Sequence, residues 1–368
     1  MKKVFACIFL LLLTITTMAQ QYHSDDLKTV AEFGHYQPIG LSVSSENRVF
    51  VSFPHNEGKP YEYGLTEVID GKKHPFPNKK WNRTEGDETG HFVHVQDLYV
   101  DAKDMLWVLD SKPSSGGSIF GENEGKAQEG KFKLLKIDLS TNKVERVYTF
   151  NNLDKAASGL NDIRVDTDKN LGYLSDPGQR ALVVLDLKTG KTRTVLRNVK
   201  ATKADPEVIL TYQGKEMRGK NGKPFRSNVN GIALTKDNKY LYFKPINQLH
   251  LSRIETKFLA DPTISEAELE SEIEDMGEVG ITHGLAADSS GNIFLTTSTD
   301  YAIKYLSPDG NLHLLVQDSR IIWPDSLGVG SDGYLYFTCA QLQRQPEWND
   351  GDSKVELPYR AYKVHLPD

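Results

Sequence analysis

Short apolar runs separated by polar turns dominate the chain, and one phrase recurs. Residues 230–243 show it in full: a polar opener (Asn230-Gly231), the aliphatic run Ile232-Ala233-Leu234, a Lys/Asp/Asn turn, then Tyr240-Leu241-Tyr242-Phe243. Copies stand at residues 39–53, 96–110, 161–176, 283–298 and 325–340. Their first aliphatics are Leu41, Leu98, Ile163, Ile232, Leu285 and Leu327, spaced by 42 to 69 residues. Runs of this length with turn signals on both sides read as strands. A unit of about 40–50 residues holding several short strands is the signature of a propeller blade. The pattern therefore predicts an all-β, six-bladed β-propeller with four-stranded blades, the longer intervals being blades that carry insertions.

The blades can be drawn strand by strand. Blade three reads as 163–165, 171–174, 181–187 and 192–196, with Lys188-Thr189-Gly190-Lys191 as a hairpin turn. Blade five reads as 285–287, 293–297, 302–306 and 312–316. Blade four reads as 232–234, 240–243 and 250–254, followed by a helix opened by Ser265 with Glu268 three residues on, a capping box. Residues 27–36 and 359–366 both look like strands. Closure of the ring removes exposed edges, so the N-terminal strand is expected to complete the last blade.

Composition adjusts this picture in three ways. Lys+Arg 44 against Asp+Glu 50 gives a net charge of −6, which excludes a general pull toward nucleic acid or anionic membrane. Residues 1–19 read as a secretory signal: Lys2-Lys3, an apolar run over 4–15, and Thr17-Met18-Ala19 before the cut. The run is too short for a membrane span. The protein is therefore expected to be secreted, to the periplasm or beyond, as one domain over residues 20–368 and as a monomer. With Cys7 in the signal, Cys339 stands alone, so no internal disulfide is expected and Cys339 reads as a small buried hydrophobe. Residues 197–228 form an insertion with eight Lys/Arg against three Asp/Glu. It reads either as a solvated loop or as a lid over one face.

The innermost strands of a propeller line its channel, so residues just before them converge on one mouth. Two positions ahead of the six anchors stand Ile39, Gln96, Asn161, Asn230, His283 and Asp325. Five are polar and can hydrogen-bond a ligand; Asn161, Asn230 and Asp325 can also offer oxygens to a divalent cation such as calcium. Asn and Asp at such places can equally hold turns. Elsewhere the chemistry is thin. Residues 166–170 begin like a calcium loop but lack its Gly and its Glu, and read as a hairpin turn. His91 and His94, placed in a strand, fall on opposite faces and make a poor metal pair. Asn82-Arg83-Thr84 is a glycosylation sequon.

Residues 95–101 and 106–110, Gly172-Tyr173-Leu174-Ser175-Asp176, Asn230-Gly231-Ile232-Ala233-Leu234 with Leu241-Tyr242-Phe243-Lys244-Pro245, and Trp323-Pro324-Asp325-Ser326 resemble motifs of the major royal jelly and yellow protein family. The likeness runs in order over residues 27–366 and implies a secreted six-bladed propeller of bacterial type. Some relatives are associated with dopachrome-like substrates, some bind biogenic amines in the channel, and others are nutritional. The more distant gluconolactonase-like group holds a channel metal by a Glu, two Asn and an Asp. Asn161 and Asn230 match the two Asn, whereas Ile39 and His283 stand where the Glu and the Asp would be.

Three readings follow. The first is a small-molecule binding protein, with Asp325 anchoring a cationic or polyhydroxyl ligand and Gln96, Asn161 and Asn230 hydrogen-bonding it. The second is a metal-dependent hydrolase or isomerase of lactones or quinone-like substrates, with His283 as general base and the ion on Asn161, Asn230 and Asp325. The third is a partner-binding scaffold using loops 111–130 and 197–228.

Overall fold

Six four-stranded antiparallel sheets follow one another along the chain and close into a ring. The computed structural model describes residues 21–54, 62–83, 86–114 and 129–367. The expected signal, most of loop 111–130 and Thr84 of the sequon lie outside the described residues. From the axis outward, blade one is Leu41–Val43, Val49–Ser52, Leu65–Ile69 and Lys72–Pro75; blade two is Val95–Val100, Met105–Lys112, Lys131–Asp138 and Lys143–Tyr148. Blade three is Ile163–Asp166, Leu171–Asp176, Ala181–Asp186 and Thr192–Val195. Blade four is Val229–Leu234, Tyr240–Pro245, His250–Glu255 and Glu274–Glu278; blade five is Leu285–Ala287, Ile293–Thr297, Ala302–Leu306 and Leu312–Gln317. Blade six is Pro324–Val329, Tyr334–Cys339 and Arg360–His365, completed by the N-terminal strand Lys28–Glu32. That last pairing is antiparallel, with Lys28 opposite Lys363 and Glu32 opposite Arg360.

The hairpin between the two inner strands turns on one left-handed residue in every blade. These residues are Asn47, Asp104, Asn170, Asn238, Gly291 and Gly333, with φ between 53° and 87°. Asn, Asp and Gly tolerate that region best, which is why the turn of the repeated phrase is written in those residues. Residues 166–170 are such a turn, as their sequence implied: Asp166 Oδ1 accepts the Asp168 and Lys169 amides at 3.0 and 2.9 Å.

Apolar residues on facing sheet surfaces form six clusters, one at each blade–blade interface. All six anchors are buried in them or beside them. Cys339 lies in the cluster between blades five and six, free and 3% exposed. Each buried Leu, Ile, Val or Phe stabilises the ring by about 1.5–3 kcal/mol, so the packing can hold it without a disulfide.

Two sequence expectations need correction. The outermost strand of blade four, Glu274–Glu278, was not foreseen, because this half-exposed edge carries no alternating apolar pattern. The preceding stretch forms two short helices, Thr256–Ala260 and Glu266–Ser271, the second with the Ser265/Glu268 capping box in place. His91 and His94 are not in a strand: His91 follows the 3-10 turn Glu88–Gly90 with Nδ1 against the Asp87 carbonyl at 2.8 Å, and His94 precedes Val95–Val100.

The insertion 197–228 is folded over one mouth of the channel. Its Leu210, Met217 and Phe225 are buried in a seventh cluster with Ile246, Ile281, Trp323 and Ala340, flanked by Ile39 and Trp348. Apolar residues spaced through a basic segment thus make it a lid. Asn247 clasps it: its Oδ1 accepts the Ser227 amide at 2.8 Å, and its Nδ2 donates to the Val208 and Phe225 carbonyls at 2.9 and 3.1 Å.

Candidate functional site

Close approach of neighbouring blades builds the mouth beneath this lid. A Cβ at Gly231 would stand 2.1 Å from the His283 carbonyl oxygen, and one at Gly284 would stand 2.0 Å from that of Asp325. Only glycine lets the next blade's mouth residue lie so near. Blades two and three use an acid at the same place instead. Asp97 accepts the Ile163 amide at 2.9 Å and Asp162 accepts the Ile232 amide at 3.3 Å.

The predicted residues come together in part through direct bonds. Gln96 Nε2 donates to Asn161 Oδ1 at 3.2 Å, and Asn161 Nδ2 donates to Asp162 Oδ1 at 2.7 Å. Asn230 sits on the adjacent blade, 6% exposed. His283 is 2% exposed; its ring lies 4.0 Å from that of Trp323, and the Trp323 indole N–H donates to Asp325 Oδ2 at 3.1 Å. Trp323 itself is held at φ 50°, a strained conformation for so large a residue. Ile39 faces the lid cluster and not a ligand set. Four buried polar atoms of this ring find no partner among the described residues: Gln96 Oε1, Asn230 Nδ2, Thr282 Oγ1 and His283 Nδ1.

Below the ring, Arg164 stands across the channel. Its guanidinium donates to Asp97 Oδ2 at 2.9 Å, lies 3.7 Å from Asp162, and reaches the Leu285 carbonyl of blade five at 3.1 Å. Burial pushes the Asp97 and Asp162 carboxyls up, and for Asp162 the neighbouring Asp97 adds to the rise while Arg164 opposes it. Asp325 belongs to the same acidic group. Burial lifts its pKa to about 7, opposed by the Trp323 N–H and reinforced by Asp97.

A chain of contacts joins the lid to His283. Tyr212 of the lid shares a 2.7 Å hydrogen bond with Ser298 Oγ, and Ser298 Oγ also bonds His283 Nε2. Burial, with the nearby Lys244, lowers the imidazole to about 3, so it is neutral. Lys244 is itself 1% exposed and brought to about 7 by burial; its amine donates to the Pro245 and Gln248 carbonyls at the turn that carries Asn247. A neutral His283 is a hydrogen-bonding group and a weak general base. Ser298, Tyr212, Trp323, Arg164 and Lys244 were not reached from the sequence, since nothing local marks them.

The donor set is poor for calcium. Calcium takes six to eight oxygens. Here the first-blade position is Ile39, the fifth is an imidazole, the Asn161 carbonyl oxygen is taken by Gln96, and Asp325 is the one carboxylate of the ring. Among the described residues no three His, Cys, Asp or Glu groups gather to hold a metal ion. Outside the mouth, Asn82 of the sequon is 5% exposed and bonds the Leu65 amide and the Phe76 carbonyl, so it is a structural residue.

Comparison with known proteins agrees with this architecture. Among solved structures, a luciferin-regenerating enzyme superposes with a TM-score of 0.55 at 14% identity, over 92% of this chain and 95% of that one. A gluconolactonase from Xanthomonas campestris gives 0.54 at 12% identity over 93% and 89%, and the calcium-binding protein regucalcin from Agrobacterium tumefaciens gives 0.52 at 12% over 92% and 92%. At such identities these likenesses speak for the fold alone. Major royal jelly protein 3 of Apis mellifera is 24% identical over 267 residues, 68% of this chain but only 46% of that protein, so the match spans about half its length. The major royal jelly protein family model matches residues 93–360, more than half of the chain, and the chain belongs to that family.

Proposed function

We propose that this protein is exported and binds a small molecule at the lidded channel mouth. The observation that carries this reading is the set of unpaired buried atoms on one ring: Gln96 Oε1, Asn230 Nδ2, Thr282 Oγ1 and His283 Nδ1. Each such group costs about 1–3 kcal/mol when left without a partner, and several together mark a place built for one. A ligand offering both donors and acceptors supplies what they lack. Asp325, adjacent to Trp323, adds a carboxyl that a bound cation would draw into its ionised form and an aromatic wall, which suits a cationic or polyhydroxyl molecule. Export rests on the charged, then apolar, then small-residue pattern of residues 1–19.

Catalysis is the weaker reading, because burial makes His283 a weak base and the oxygens do not make a calcium cage. The experiment is a small-molecule screen by thermal shift and calorimetry, repeated on Asn230→Ala and Asp325→Ala. Hits bound by the wild type and weakened at least about tenfold in both folded variants support the placement, since a lost charge-assisted or buried contact is worth about 1.5–3 kcal/mol. Hits bound equally by all three proteins refute it.

A further inference from the structure

The channel has a second end, opposite the lid. There a cavity of about 270 Å³ is ringed by the inner hairpin turns, from Ser44 and Ser45 in blade one to Gly330 and Ser331 in blade six. It continues inward into a narrower space of about 40 Å³, lined by Arg164. Tyr99, Val100 and Lys236 line both spaces, so the two form one funnel. Leu98, Leu234 and Leu327 wall its inner end. The layer of Arg164, Asp97 and Asp162 divides this funnel from the mouth beneath the lid.

The cations of the funnel stand innermost and the acids outermost. Asp101 and Asp104 line only the wide part, and protein donors occupy them. Asp101 accepts the Lys103 and Met105 amides at 2.8 and 3.1 Å and the Trp107 indole N–H at 2.8 Å. Asp104 accepts the amide of Ser45 at 2.9 Å and also its hydroxyl. At the inner end, Arg164 donates to Asp97 and to the Ile163 and Leu285 carbonyls. Its Nε–H has no acceptor among the described residues, and its side chain keeps 9% of its surface. Lys236 is left with less. Its ammonium has neither an ion pair nor a hydrogen-bond acceptor among the described residues. Burial and the nearby Arg164 both lower its pKa, opposed by Asp288, whose two oxygens are held by Asn292 at 2.8 Å. Asp97 balances Arg164 from the mouth side, and no described group balances Lys236. Two cations brought together disfavour each other's charge, and an anion beside them relieves that.

We propose that the funnel binds a small organic monocarboxylate, with its carboxylate on Lys236 and Arg164 and its apolar body against the aliphatic wall. The size of the space suits a ligand of few atoms, since it lies below the usual range for drug-sized sites. A carboxylate matches ammonium and guanidinium donors with charge-assisted bonds. Inorganic phosphate fits worse, because it would turn further oxygens toward Leu98, Leu234 and Leu327, which cannot bond them.

The test uses isobutyrate as probe, titrated into the full folded protein at low ionic strength and followed by NMR. Isobutyramide, of the same shape but uncharged, and inorganic phosphate are run beside it. Saturable isobutyrate binding is expected, with isobutyramide at least about tenfold weaker and phosphate weaker than isobutyrate. Lys236→Met is expected to weaken isobutyrate about threefold to tenfold, the size of one charge-assisted contact open to water, and Lys236→Arg to keep it within about twofold. Lys236 is exposed on a hairpin turn, and circular dichroism checks that both variants fold. Binding is expected to persist in Asn230→Ala, which separates the funnel from the lidded mouth. The proposal is overturned if isobutyrate does not bind saturably, if isobutyramide or phosphate binds as well as it does, or if folded Lys236→Met binds it like wild type.

Discussion

Asp325→Asn should make the protein more stable relative to wild type as the pH rises. The carboxyl has a pKa of about 7 when folded, against 3.8 as its ordinary value, because burial disfavours the charged form. Folding therefore binds the proton more tightly than the unfolded chain does. Stability from this group is fully present below about pH 4 and is lost progressively as the pH climbs to about 7, where the loss levels off. A shift of about three units corresponds to about 4 kcal/mol for a dry carboxyl; Asp325 is half-buried, so about 2 kcal/mol is the expected share. Asparagine keeps an acceptor for the Trp323 N–H but cannot ionise. His283, pushed down by burial, titrates over an overlapping range with the opposite slope, so only the difference between variant and wild type isolates Asp325. Urea unfolding at intervals from pH 4 to pH 8 measures that difference. It should grow in favour of the variant by about 2 kcal/mol over the range. A difference that stays flat, or runs the other way, would refute the assignment of Asp325 as a carboxyl kept neutral by its surroundings.

Other perturbations follow from the same geometry. Gly284→Ala forces a Cβ to within 2.0 Å of the Asp325 carbonyl oxygen, so blades five and six must part; thermal melting should show a loss of about 1–3 kcal/mol or failure to fold. Arg164→Met leaves Asp97 and Asp162 without their cation. The loss should be about 3–5 kcal/mol and larger at pH 8 than at pH 5, where the two acids can take up protons, as read by denaturant unfolding. Tyr212→Phe removes the lid's bond to Ser298 at a cost of about 1 kcal/mol, and hydrogen exchange of residues 205–228 should quicken while the blades stay protected.

The ring was legible in the sequence because each blade repeats the same local problem. An inner strand must be apolar, its hairpin needs a left-handed Asn, Asp or Gly, and the next strand must be apolar again. Leu41 through Leu327 and Asn47 through Gly333 carry that message without reference to any distant residue. Glu274–Glu278 was not legible, because an edge strand facing solvent has no apolar period to display. The mouth was legible as a set of positions but not as a network. The span of Arg164 from blade three to blade five, and of Tyr212 through Ser298 to His283, exists only once the ring has closed. Burial of Lys244 likewise exists only in the folded ring, and a lysine inside an apolar strand motif gives no local sign of it.

A ligand site at the channel mouth is tested most directly by a high-resolution crystal structure of the protein purified from its own host. Density for a bound organic molecule is expected beneath the lid, within hydrogen-bonding distance of Gln96 Oε1, Asn230 Nδ2 and His283 Nδ1. A mouth in which those three atoms pair with protein groups, with the lid packed directly against them, would contradict it.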